Sequence, residues 1–183
     1  TKYNIKNEDK IIGTASYIYP PKFYEKNGVK NHELLLEVFK EILSERKDVY
    51  LVISGSTFGN NFKYEELLKE KAKLIDDKRI IFTGKYKNVF SVISNFDVFV
   101  YLSKSENLGG VFESLLYEVP TVSSDRGALP ELVINNETGY NVSLEDKIKI
   151  KEKIIDLLDA KNDIFKLKGK EKVINTFNKE TLL

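Results

Sequence analysis

Six short, mostly apolar runs alternate along this chain with longer stretches whose apolar residues recur at helical spacing. The runs are Lys10–Ser16, Val49–Ser54, Arg79–Thr83, Asp97–Leu102, Pro120–Val122 and Gly139–Val142. They are apolar throughout rather than at every second position, so both faces of each strand must be covered. Between them, His32–Arg46 carries Leu35, Leu36, Phe39, Ile42 and Leu43 on one stripe, with Asn31 as its N-cap. Further helices are predicted over Phe62–Ile75, Val89–Ser94, a short stretch from Val111, Leu129–Ile134, Asp146–Leu158 and Asp163–Phe177. Alternating strands and helices joined by right-handed crossovers predict an α/β fold. Its form is a doubly wound, mainly parallel six-stranded sheet of Rossmann type, with helices on both faces. At 183 residues, one domain spans the chain (1–183) and is large enough for a real core.

In such a sheet, ligands bind beyond the carboxyl ends of the strands. The unusual residues gather there. Strand one runs into Gly13-Thr14-Ala15-Ser16 and a loop reaching Lys30, strand two into Ser54-Gly55-Ser56, and strand three into Thr83-Gly84-Lys85. Strand four opens into Ser103–Gly110, and strand five into Ser123–Gly127. One such loop means little, but five on the same edge form a site. Neither G-x-G-x-x-G after strand one nor G-x-x-x-x-G-K-[ST] is present, so the dinucleotide and P-loop readings lack their fingerprints.

Composition removes other classes. Basic residues number 29 and acidic ones 28, a net charge of +1, which gives no argument for nucleic acid or an anionic membrane as partner. The lysine-rich stretch Lys147–Lys172 is interleaved with acids and isoleucines at helical spacing, so it reads as a solvated helix face. Cysteine is absent, and His32 is the single histidine, expected as a polar surface residue at a helix start. Thiolate metal sites, His-pair metal motifs and a Ser-His-Asp triad therefore find no support. No run approaches the ~20 apolar residues of a transmembrane segment, and the first ten residues do not resemble a signal peptide. The chain opens on Thr1 and has no methionine, which suits a processed start and a piece of a longer protein equally.

The richest stretch is Phe99–Pro130. Gly109 and Gly110 let backbone approach a ligand closely, and a helix start just after them presents unpaired amides and a positive dipole end. That seats an anionic group such as phosphate. Glu113, in the first turn, is placed to accept hydrogen bonds from hydroxyls. Phosphate beside hydroxyls points to a nucleotide sugar. The same glycines also suit an ordinary strand–loop–helix crossover.

The order Ser103-x-x-Glu106, the Gly109-Gly110 pair, Glu113-x₆-Pro120-x-Val122, Asp125-x-Gly127-x-x-Pro130-Glu131 and Gly139 resembles the C-terminal domain of GT-B glycosyltransferases, the retaining family 4 enzymes above all. Gly28-Val29-Lys30-Asn31-His32 is similar to their lysine loop, and Arg79–Gly84 to their strand before the base pocket. Departures exist. Six residues separate Glu106 from Glu113 where that family has seven, and counting back from Glu113 selects Ser105 instead. Thr14 stands where an arginine is common, Glu118 replaces a glycine, and Ala128 replaces another.

The resemblance implies a Rossmann-like half of a GT-B fold that binds the nucleotide-sugar donor. Lys30 would contact the diphosphate and Glu106 would face the sugar or support the loop, these two forming the catalytic set. Glu113 would hold the ribose, and the amides of Gly109, Gly110 and Val111 would cradle phosphate or sugar. Ser105, Asn107, Leu108 and Thr14 would complete the donor site, and Thr83, Gly84, Lys85 and Tyr86 would line the base pocket. It further implies a UDP- or GDP-sugar donor and transfer to an acceptor hydroxyl with retention, with no cofactor and no metal. The acceptor (a glycan, lipid or protein) would be met by an N-terminal domain absent from this chain. The isolated domain would then be inactive. Its place would be cytoplasmic, with any peripheral membrane association supplied by the missing half. Two other uses of the residues stay open: a non-catalytic nucleotide-sugar or scaffold module, and another GT-B activity such as a nucleotide-sugar epimerase.

Overall fold

The computed structural model of this chain describes residues 3–105, 108–160 and 163–177. Strands β1 (Lys10–Ala15), β2 (Val49–Ser54), β3 (Ile80–Gly84), β4 (Val98–Tyr101), β5 (Thr121–Ser124) and β6 (Gly139–Val142) form one sheet in the order β3-β2-β1-β4-β5-β6. Every neighbouring pair is parallel, so the sheet is parallel throughout. The helices are α1 (His32–Glu45), α2 (Lys63–Asp76), α3 (Phe90–Ile93), α4 (Gly109–Leu116), α5 (Leu129–Leu132), α6 (Lys147–Asp159) and α7 (Asp163–Thr176).

The apolar runs are explained by two cores, one on each face. Leu51, Ile53, Val98 and Val100 point into a core closed by α1, α2 and α6. Their neighbours Val52, Phe99 and Tyr101 point the other way, into a core closed by α3, α4, α5 and α7. Successive strand residues face opposite sides, and here neither side is wet. The lysines of α6 lie outside: Lys147, Lys151 and Lys153 pair with Glu37, Glu45 and Asp156, while Ile150, Ile154, Leu157 and Leu158 are buried. Among the described residues no helix is long and apolar enough to cross a membrane.

Several boundaries differ from the sequence reading for identifiable reasons. Asp97 precedes β4 rather than opening it, its carboxylate accepting from the Ile11 amide at 2.8 Å and Lys10 Nζ at 3.0 Å. Pro120 has no amide to give, and β5 instead runs on through Ser123 and Ser124, whose hydroxyls reach Asn141 Oδ1 at 2.8 Å and the Ser103 carbonyl at 2.6 Å. Asn31 is not a side-chain cap. Its φ is 54°, and its Oδ1 accepts from Asn27 Nδ2 at 2.8 Å. Helix α4 begins at Gly109, two residues before Val111. At its end Glu118, standing where a glycine was noted as usual, takes φ 62°, the left-handed region that glycine occupies without cost.

Gly139 shows how closely the sheet's last pair is fitted. A Cβ built there would lie 2.0 Å from the Thr121 carbonyl oxygen and 3.0 Å from Val133 Cγ1. Gly139→Ala is therefore expected to destabilise the fold by about 1–3 kcal/mol, seen as a lower urea midpoint at unchanged slope.

Candidate functional site

The strand order reverses at β1. Helix α1, leaving β1, packs on one face of the sheet, whereas α4, leaving β4, packs on the other. Adjacent crossovers departing to opposite sides open a crevice above the carboxyl ends of β1 and β4. A cavity of about 330 Å³ occupies it. Strand β1 and the chain beyond it contribute Ala15, Ser16, Tyr17 and Tyr19, and the end of β2 contributes Ser54 and Gly55. The segment after β3 adds Lys85, Tyr86 and Val89, and β4 adds Tyr101. Lys30 enters from the β1–α1 loop, and Gly109, Gly110 and Glu113 from α4.

Helix α4 reaches the end of β1 because residue 110 has no side chain. A Cβ there would sit 2.9 Å from the Ala15 carbonyl oxygen and 3.1 Å from Phe99 Cζ. The first amides of a helix have no acceptor within it, and Gly110, at one of those positions in α4, lines the cavity. The Val111 side chain itself is fully buried in the core.

Lys30 is 8% exposed and takes part in no ion pair among the described residues. Its Nζ donates to Tyr101 Oη at 2.6 Å and to Ser103 Oγ at 3.4 Å, and lies 4.9 Å from the Tyr101 ring centroid. Burial lowers the lysine's pKa and pushes the Tyr101 phenol up to about 12, so Tyr101 is a neutral partner. The loop that carries the lysine is held by α2 and by the β4–α4 loop, and closed by one bond of its own. The Gly28 amide donates to Tyr64 Oη at 3.0 Å, the Lys104 amide to the Val29 carbonyl at 2.9 Å, and the Asn31 amide to the Gly28 carbonyl at 3.0 Å. The Tyr64 hydroxyl in turn donates to the buried Glu33 carboxylate. Across the cavity, Glu113 is half-buried, burial raises its pKa, and its carboxylate has no hydrogen-bond or ion-pair partner among the described residues.

Of the residues singled out from sequence, the fold brings Lys30, Lys85, Tyr86, Gly109, Gly110 and Glu113 to one cavity. Thr83 and Gly84 shape the turn beneath it. Gly84 has φ 73°, and its carbonyl accepts from the Gly55 amide at 3.0 Å. Leu108 packs against the second core, and Ser105 bonds locally to Ser103. Thr14 is buried inside β1 and does not line the cavity; Ser16, two residues on, does. Glu106 and Asn107 lie outside the described residues. Among the described residues, no group of three or more His, Cys, Asp or Glu is placed to hold a metal ion.

The family model described as "Glycosyl transferases group 1" matches residues 5–173. The chain belongs to that family. CapM, a capsular polysaccharide biosynthesis glycosyltransferase of Staphylococcus aureus, is 26% identical over 183 residues, covering 98% of this chain and 45% of its own length. N-acetyl-alpha-D-glucosaminyl L-malate synthase of Bacillus anthracis is 25% identical over 158 residues, 86% of this chain and 38% of that protein. This group 1 chain thus spans less than half the length of these curated relatives. Among solved structures, the C-terminal domain of LpcC, a glycosyl transferase group 1 protein of Francisella tularensis, superposes with a TM-score of 0.75 at 22% identity. That match covers 92% of this chain and 85% of the other. HepE of Anabaena, solved with UDP and glucose, gives a TM-score of 0.81 at 14% identity over 96% of this chain and 46% of that one. The fold is that of the GT-B glycosyltransferases, as the motif order implied.

Among the residues lining the cavity, the sequence assigned no role to Tyr101, which ends an apolar strand and so reads as core, nor to Tyr17 and Tyr19, and it placed Ser16 only at the strand's end. Correction is also due for His32. It is 1% exposed rather than a surface residue, and burial first, then the charge of Lys30, holds its pKa down at about 4. The unfolded chain takes up a proton below about 6.5 that the folded chain refuses until about 4. Stability carried by neutral His32 is therefore full above that window and falls as pH drops through it. Between pH 7 and 4.5, wild type is expected to lose about 2–3 kcal/mol more than His32→Gln, measured by urea unfolding at both pH values.

Proposed function

We propose that this chain is the donor-binding half of a glycosyltransferase that moves a sugar from a nucleoside diphosphate sugar to an acceptor hydroxyl. The observation that carries the reading is Lys30: a buried cation, without a carboxylate partner among the described residues, faces a cavity opened by the first amides of α4. A buried charge is costly unless it is balanced, and a diphosphate supplies the balance. Glu113, an unpartnered carboxylate on the same wall, is the acceptor for ribose hydroxyls. The turn bearing Lys85 and Tyr86 receives the base. Relatives support the class, since HepE was solved with UDP and glucose and TarM of Staphylococcus aureus with UDP.

The chemistry follows from the leaving group. Negative charge grows on the departing diphosphate as the glycosidic bond breaks, and fixed donors aimed at it lower the barrier. Lys30 and the α4 amides are those donors, so the charge is met by the protein rather than by a metal ion. Transfer proceeds with retention in the manner of family 4, the acceptor attacking from the face the phosphate leaves. No glycosidase-type pair of nucleophile and general acid is invoked. By its place in the motif order, Glu106 is assigned to the sugar. The acceptor belongs to an N-terminal half outside this chain, so the isolated domain binds donor and transfers little.

The test is thermal unfolding with UDP, GDP, ADP and their sugars. One base series is expected to stabilise the domain by about 2.7 kcal/mol at a hundred times Kd. Lys30→Ala and Glu113→Ala should each weaken that series about tenfold or more. If none of the nucleotides stabilises the wild type, the donor reading fails.

Lys30 and Glu113 also predict a division of labour. Lys30→Ala should reduce affinity for the diphosphate while leaving that for the nucleoside alone unchanged. Glu113→Ala should remove the preference for a ribonucleotide over its 2′,3′-dideoxy analogue, measured by calorimetric titration.

A further inference from the structure

His32, the first residue of α1, is buried two positions after Lys30, and its Nε2 lies 3.3 Å from Ser16 Oγ. Its Nδ1 is buried and has no hydrogen-bond partner among the described residues. A neutral imidazole carries one N–H. Placed on Nδ1, that proton would be a buried donor with no acceptor, which native structures rarely tolerate; placed on Nε2, it is satisfied by Ser16 Oγ, and only a lone pair goes unpartnered. The doubly protonated ring would strand the Nδ1 donor and set a second cation beside Lys30. The Nε2–H form, with Ser16 Oγ accepting, is the one that leaves no buried donor unmet. Among the described residues, the Ser16 hydroxyl has no other hydrogen bond, so its own proton is left to give away. Ser16 lines the cavity that Lys30 enters, and its amide is pinned to the Ser54 carbonyl at 3.0 Å.

We propose that the Ser16 hydroxyl is a neutral hydrogen-bond donor to the diphosphate of the donor, and that buried His32 is its positioning residue, holding the hydroxyl by Nε2–H so that the O–H projects into the cavity. This deepens the donor-binding reading and rests on it. The end of β1 then supplies one neutral hydrogen bond where Lys30 supplies charge. The histidine acts through the serine and touches no ligand. Its low pKa agrees with a ring that stays neutral beside a lysine.

The chain has a single histidine, so its ring nitrogens can be observed without ambiguity. Long-range ¹H–¹⁵N spectra of the histidine-labelled domain at pH 7 are expected to show the Nε2–H tautomer; the Nδ1–H tautomer would overturn the proposal, because Ser16 would then spend its proton on the ring. Calorimetric titration of UDP, GDP and ADP, each against its nucleoside, gives the second readout. Ser16→Ala should lower diphosphate affinity about tenfold and leave nucleoside affinity unchanged. His32→Leu should match that loss, the double variant should lose no more than either single, and His32→Gln, which keeps an N–H in place, should restore most of the affinity. Unchanged diphosphate affinity in Ser16→Ala, or a loss in His32→Gln equal to that in His32→Leu, rejects this assignment while the donor site stands. Failure of wild type to bind any of the three diphosphates rejects the donor site and this assignment together.

Discussion

A parallel sheet covered on both faces leaves its chemistry one place to go. The apolar side chains above and below the central strands are taken up by the two cores, so polar groups collect at the strand ends, and the carboxyl ends are where the crossovers diverge. The reversal of order at β1 turns this general rule into a specific cleft. Because α1 and α4 leave adjacent strands for opposite faces, neither helix can cover the gap between them. Gly110 completes the arrangement by letting α4 start against the Ala15 carbonyl.

Within that cleft the electrostatics are asymmetric by construction. Lys30 is withdrawn from water and, among the described residues, balanced only by the neutral oxygens of Tyr101 and Ser103. Such a cation is tolerable because two acceptors recover part of its lost hydration. It is also primed, since an incoming anion meets a charge whose water has already been removed. Tyr64 of α2 and the Lys104 amide hold the lysine loop from two sides, and Glu33, itself buried, anchors Tyr64. A second helix and the β4–α4 loop are thus recruited to place one ammonium group.

The fold was legible in the chain to within a few residues at each boundary, because the relevant signals are local. Apolar runs such as Val49–Ser54 and stripes such as Leu35, Phe39 and Leu43 carry their own periodicity. Boundaries slipped where a distant partner decided them. Asp97 left β4 to take the Ile11 amide, and Ser123 and Ser124 joined β5 because Asn141 and the Ser103 carbonyl satisfied their hydroxyls. The site was half legible. Lys30, Glu113 and the glycine pair could be picked from motif order, whereas Thr14 was named because it stands where an arginine is common, and spacing does not say which way a strand's last residues turn.

What the sequence by itself determined is the alternation of doubly buried strands with amphipathic helices, and hence a wound parallel sheet whose loops share an edge; periodicity and turn residues are properties of neighbours along the chain. What only the tertiary structure decided is which of those residues meet. Lys30 finds Tyr101 across 71 positions of sequence, and His32 passes from an expected surface residue to a buried ring against Ser16. Both outcomes depend on burial and on pairing between distant elements, and these quantities come into being only when the chain closes on itself.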